Sequence, residues 1–163
     1  MNNYKEKFKK MKIAGELAAR TLDMLTENIK EGVSTDYIDK LGYEFIRDNG
    51  GYSAPQYYRG FTKSLCTSLN HVICHGIPSE RILRDGDAIN VDVTAIIDEH
   101  YGDTSRMFCI GNTPVKLNNL IDTTYESMMR AIKILKPGIK LGDIGYEIQS
   151  YVEERGFSVV RDF

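Results

Sequence analysis

Basic clusters are absent from this chain. The longest is Lys9-Lys10, and 21 Lys+Arg stand against 23 Asp+Glu for a net charge of −2. Without a cationic patch there is little to neutralise phosphates, so nucleic acid is not expected as a partner. No apolar run approaches the roughly 20 residues needed to cross a bilayer, so no membrane span is expected. The polar N-terminus leads directly into an amphipathic segment with no signal peptide, and a cytoplasmic location is expected. Cysteine is scarce: Cys66, Cys74 and Cys109. Three cannot build a disulfide framework, and their spacing matches no zinc site. All three lie in β-type segments and read as small buried hydrophobes. His71 and His75 are four apart but lack the intervening glutamate of a His-Glu-x-x-His helix. Gly76-Ile77-Pro78 follows at once, which reads as a strand running into a turn. Residues four apart on a strand are roughly 13 Å apart, too far for one metal.

What is present is a pair of acids in apolar surroundings. Asp92 sits among Ile89, Val91, Val93, Ile96 and Ile97. Burying a bare carboxylate costs several kcal/mol unless something pairs with it. The alternation predicts a strand over Ala88–Ile97, a turn at Asp98-Glu99 and a return strand over Tyr101–Ile110. A two-residue loop sets Ile97 opposite His100, Thr94 opposite Asp103 and Asp92 opposite Ser105. The two acids then become diagonal neighbours on one face, roughly 7 Å apart at Cβ. They can reach one divalent ion or two adjacent ones. Otherwise Asp92 hydrogen-bonds its neighbours and Asp103 is a turn residue after Gly102. A one-residue slip would separate the acids, and Glu99 is a poor second turn residue. His75, beside Gly76, stands at a strand end where loops place reactive groups, or is a surface or capping histidine. His71 and His100 read as turn histidines.

At 163 residues the chain suits one domain. Phe8, Met11, Gly15, Ala18, Leu22, Leu25 and Ile29 predict a first helix stopped by Gly32. Ser34 or Thr35 caps a second, with Ile38, Leu41 and Phe45 on its face and Gly50-Gly51 at its end. A β region over about 58–111 and a linker at Asn112-Thr113-Pro114 follow. Two more helices are predicted, over about Leu117–Leu135 and Leu141–Arg155. Phe157–Arg161 reads as the start of a strand. A shift of 106 residues lays Lys30 on Lys136, Gly32 on Gly138, Ile38 on Ile144 and Gly50 on Gly156. That shared register predicts a duplication, with 1–111 as the first repeat and 112–163 as the start of a second.

The segments Lys63-Ser64-Leu65-Cys66 through Cys74-His75-Gly76-Ile77-Pro78, Gly86-Asp87 through Asp92-Val93-Thr94, and Gly102-Asp103-Thr104-Ser105 together resemble the type I, bacterial-type methionine aminopeptidases. The resemblance runs from about Phe8 to the end. It implies an α/β (α+β) "pita-bread" fold of the creatinase/aminopeptidase kind, a curved antiparallel sheet cradled by helices. It implies two divalent metal ions (Co, Mn, Fe or Zn), with Asp92 binding one and Asp103 bridging both. His75 matches the histidine that contacts the scissile peptide and assists the leaving amine. Tyr58, Phe61 and Cys66 match the methionine pocket, where Phe61 replaces a common tyrosine. Pro55 stands where some members have a cysteine, and no role attaches to it. The implied partners are nascent polypeptide N-termini near the ribosome.

The family's other metal ligands, a histidine and two glutamates in a second sheet, have no match here. The 163-residue chain is therefore expected to be an incomplete catalytic domain, inactive alone. Two rival readings share the fold. A non-catalytic binding module has no need of the Asp92, Asp103 and His75 set. An Xaa-Pro peptidase usually carries a long N-terminal domain.

Overall fold

The computed structural model describes residues 4–161. In chain order come α1 (Tyr4–Thr26), α2 (Thr35–Asp48), β1 (Tyr52–Ser53), a 3₁₀ turn (Ala54–Tyr57), β2 (Cys66–Leu69), β3 (Ala88–Ile97), β4 (His100–Cys109), α3 (Val115–Lys133) and α4 (Leu141–Glu153). Two units divide the chain, Met1–Thr113 and Pro114–Phe163.

The first unit is a four-stranded antiparallel sheet backed by α1 and α2. β3 is its spine, bonded to β1 and β2 along one edge and to β4 along the other. Its alternating side chains explain why: Ile89, Val91, Val93 and Ala95 are fully buried and meet Leu17, Ala18, Leu22 and Leu25 of α1. Ile38 and Ile46 of α2 complete that core with Leu65 and Leu83. Helix α2 starts where Ser34 accepts the Tyr37 N–H at 3.1 Å, relieving one orphan donor of its first turn. At Gly102 a Cβ would run into the Ala14 backbone, so the glycine is what lets α1 lie against β4. The β3–β4 turn has Asp98 and Glu99 at φ +48° and +62°. That is the primed geometry a two-residue hairpin requires, adopted here without glycine.

The second unit is the α3–α4 hairpin. Few of its side chains are covered: Thr123, Ser127 and Ala131 on α3, and Val152 on α4. Leu141 and Tyr146 are largely exposed.

Several expectations are corrected. α1 ends at Thr26, and its buried face runs through Ala14, Leu17, Ala18, Thr21, Leu22 and Leu25. Phe8 and Met11 are exposed, because the helix buries side chains only from Ala14 onward. The His71–Pro78 stretch is a loop, since β2 ends at Leu69 and Asn70 turns at φ +53°. Cys74 lies on that loop and is exposed, and Cys109 is exposed at the end of β4; only Cys66 is buried. Phe157–Val160 forms no strand among the described residues, having no neighbouring strand to share its backbone bonds.

Candidate metal and peptide site

The site builds outward from β3. Alternation turns Asn90, Asp92 and Thr94 away from α1. The hairpin pairs Asp92 with Ser105 and Thr94 with Asp103, as the turn count requires. On the other edge Cys66 stands directly opposite Asp92. Cys66, Asp92 and Ser105 therefore form one row across three strands, and Thr94 with Asp103 forms the next. Thr94 Oγ1 donates to Asp103 Oδ1 at 3.1 Å, which orients that carboxylate. The sequence had placed Thr94 beside Asp103 without assigning it this bond.

Asp92 is half-buried and Asp103 exposed. Burial pushes the Asp92 carboxyl up to about 6, helped by the charge of Asp103 and a hydrogen bond with it. The charge of His75 and the Val93 N–H oppose the rise without cancelling it. Two acids thus crowd one patch with too little positive charge beside them. Arg106 is turned to the other face, where it pairs with Asp23 at 2.9 Å and bonds Thr26. Such oxygen donors, short of a counter-charge, suit a divalent cation. They supply two ligands: among the described residues, no group of three or more His, Cys, Asp or Glu is arranged to hold a metal.

His75 is exposed on the loop after β2, at φ +56°. The next residue presses on β2: a Cβ on Gly76 would collide with the Thr67 carbonyl. The Gly76 carbonyl also accepts the Thr67 N–H at 2.7 Å. This packing ties the His75 segment to the strand that carries Cys66. Burial, then the Asp92 charge, push the Cys66 thiol up to about 11, so it is neutral at physiological pH. Tyr58 is exposed, with the Arg59 guanidinium 5.2 Å from its ring centroid. Phe61 is half-buried, and its N–H donates to the Tyr58 carbonyl at 2.9 Å. The structure thus gathers Asp92, Asp103 and Cys66 on one face, brings His75 within electrostatic range, and places Tyr58 and Phe61 on the segment leading into β2.

One buried group escaped the sequence reading. Asp39 of α2 is almost wholly buried, and its Oδ1 accepts the N–H groups of Ser64 at 2.7 Å and Leu65 at 2.8 Å. Burial raises its carboxyl above the ordinary value, with the two N–H bonds and Lys63 pulling the other way. The available signal was an aspartate between Ile38 and Gly42 on the apolar side of a helix.

Comparison with known proteins places this arrangement. Residues 9–163 match metallopeptidase family M24. The chain belongs to that family. Its M24 relatives include the methionine aminopeptidase of Rickettsia prowazekii, 51% identical over 156 residues, which span 96% of this chain and 60% of the relative. The methionine aminopeptidase of Escherichia coli K12 is 44% identical over 160 residues, 97% of this chain and 61% of that one. The crystal structure of the Rickettsia prowazekii methionine aminopeptidase superposes with a TM-score of 0.95 at 50% identity, covering 98% of this chain and 64% of that one. An Xaa-Pro dipeptidase from Bacillus anthracis, 20% identical with a TM-score of 0.81 over 93% of this chain and 41% of its own, shares the fold. The chain thus spans about three-fifths of the length of the curated relatives it matches. The architecture, an antiparallel sheet with helices, is the pita-bread fold. M24 membership implies a divalent metal cofactor. No helix among the described residues is long and apolar enough to cross a membrane.

Proposed function

We propose that the protein is a metal-dependent aminopeptidase that removes the N-terminal methionine from newly made polypeptides. The observation that carries this reading is the diagonal placement of Asp92 and Asp103 on one face of β3 and β4, with Cys66 directly opposite Asp92. Asp92 and Asp103 would hold the divalent ions, Asp92 as a ligand to one and Asp103 to both, with Co, Mn, Fe and Zn as candidates. Such ions, when bound, polarise a peptide carbonyl and lower the pKa of water. The chain's own residues do the rest. Thr94 fixes the Asp103 carboxylate through its hydroxyl. His75 donates a hydrogen bond or proton to the scissile peptide and its leaving amine. Tyr58, Phe61 and Cys66 line the methionine pocket, where a neutral thiol acts as a small apolar surface. The substrates are nascent chains near the ribosome, in the cytoplasm, with neither nucleic acid nor membrane as partner.

Residues 1–111 are a first repeat and 112–163 the start of a second. Support comes from the turns that the 106-residue shift aligns. Gly32 and Gly138 take φ +86° and +95°, and Gly50 and Gly156 take +81° and +76°.

A fluorogenic Met-peptide assay with Mn²⁺ or Co²⁺ tests the reading on two proteins. One is the chain itself; the other is the chain joined to the part of the Rickettsia prowazekii relative that it does not cover. The joined protein should turn over Met-peptide in a metal-dependent way that Asp92→Ala abolishes. The chain alone should not, because two carboxylates hold a metal only weakly. Failure of the joined protein, or preference for Xaa-Pro substrates, overturns the assignment. Turnover by the unextended chain that Asp92→Ala abolishes overturns the incomplete-donor account.

A further inference from the structure

We propose that Asp39 and Gly42 of α2 are positioning residues for the methionine pocket, fixing the backbone at Ser64–Leu65 so that Cys66 enters β2 facing the acids. The claim rests on the pocket reading above for its functional meaning and on α2 for its geometry. Asp39 and Gly42 are one turn apart, on the same side of the helix. A single Asp39 oxygen, Oδ1, receives both consecutive N–H groups, at 2.7 and 2.8 Å. One turn on, Gly42 leaves a notch that the Leu65 side chain fills. A Cβ there would stand 2.5 Å from Leu65 Cδ1, and Leu65 is wholly buried. Carboxylate and notch together hold two successive residues, one by its N–H alone and the other by its N–H and side chain. That fixes the rotation of the chain about its own axis at this point.

The next residue is Cys66, opposite Asp92. Side chains alternate along a strand, so a shift of one residue would turn Thr67 to the acid face and Cys66 to the core. The segment upstream of the seat carries Tyr58 and Phe61. All three pocket residues thus depend on how the chain is seated at Ser64–Leu65. Lys63, beside the seat, is drawn 2.7 Å from Asp36 on the preceding turn of α2, which fastens the same segment from outside.

The test uses the full chain carrying Cys74→Ser and Cys109→Ser, so that Cys66 is the sole thiol. Two readouts are taken on protein that remains folded: the alkylation rate of Cys66 and backbone amide exchange. Asp39→Ala should raise the Cys66 rate at least tenfold and speed exchange at Ser64 and Leu65 at least a hundredfold, while β3 and β4 amides keep their protection. Asp39→Asn should label within twofold of the unsubstituted chain, because its side-chain carbonyl can accept the same two N–H groups. A general loss of stability would not be confined to the seat or rescued by asparagine. Unchanged labelling in folded Asp39→Ala overturns the proposal, as does loosening throughout β3 and β4. Should Asp39→Ala not fold, the unsubstituted chain decides: Ser64 and Leu65 amides exchanging as fast as the exposed Thr62 overturn it, and protection like that of β2 supports it. A parallel arm adds L-methionine with Mn²⁺. That arm uses the joined protein described above with Cys66 as its sole thiol, and failure to slow Cys66 alkylation there strikes the pocket reading and leaves the seating result standing.

Discussion

Single side chains in this molecule divide into those that settle charge and those that concentrate it. Asp87 settles it. Burial pushes its carboxyl up, but the Asn70 amide, the Arg84 N–H and the charges of Arg81 and Arg84 outweigh that and hold it below the ordinary value. Asn70 Nδ2 lies at 2.8 Å, Arg84 N at 2.9 Å and Arg81 at 3.1 Å. A depressed carboxyl contributes stability that is present above its unfolded value, near 4, and lost as pH falls through the folded one. Asp87→Ala should therefore cost about 2–3 kcal/mol in urea unfolding at pH 7. The gap to the unsubstituted chain should narrow as pH drops below about 4; a constant gap would show that the charge is irrelevant. Asp92 concentrates charge instead, and its place among apolar neighbours was legible in sequence because a lone acid in a strand pattern stands out. Asp39 was not, because a polar residue on a helix normally reads as solvent-facing, and its partners are more than twenty positions away.

At the level of elements, the hairpin was the most legible part. The alternation of Ile89, Val91, Val93 and Ala95 with a two-residue turn at Asp98-Glu99 points to one register, and β3 and β4 adopt it. What remained hidden was what covers each face. Phe8 and Met11 keep the helical period yet stay exposed, because coverage depends on where the Gly102 gap admits α1. Gly102→Ala should accordingly push α1 off β4 and cost at least about 2 kcal/mol, read as a lower urea midpoint. No loss would mean that the helix backs away freely. The turn predicts the reverse sign. Glu99 holds φ +62° with a side chain, so Glu99→Gly should gain about 0.5–1 kcal/mol by the same measurement. A loss would mean that the Glu99 side chain makes a contact worth more than the relieved strain. The His71–Pro78 stretch reads as a strand because its apolar residues fit that pattern; the left-handed turn at Asn70 ends the ladder and makes it a loop.

For the whole molecule, the two units are unequal. The first has a continuous core from α1 through β3; the second buries little beyond one face of α3 and Val152. Limited proteolysis should therefore cut first within 114–161 and leave a resistant body ending near Thr113. Simultaneous digestion of both would show that the first unit does not stand alone. The fold class was legible only through the family resemblance carried by the segments at Lys63–Pro78, Gly86–Thr94 and Gly102–Ser105. The strand expected at Phe157–Arg161 does not form among the described residues, since β structure is a property of pairs and its sequence names no partner. The β2–β3–β4 ladder adds a consequence in time. Cys66, Asp92 and Asp103 lie on three strands that follow one another along the chain, β2, β3 and β4. At roughly 5–20 residues per second of synthesis, they leave the ribosome within seconds of one another. The acid face is therefore assembled early in the life of each molecule, while the residues after β4 are still being added.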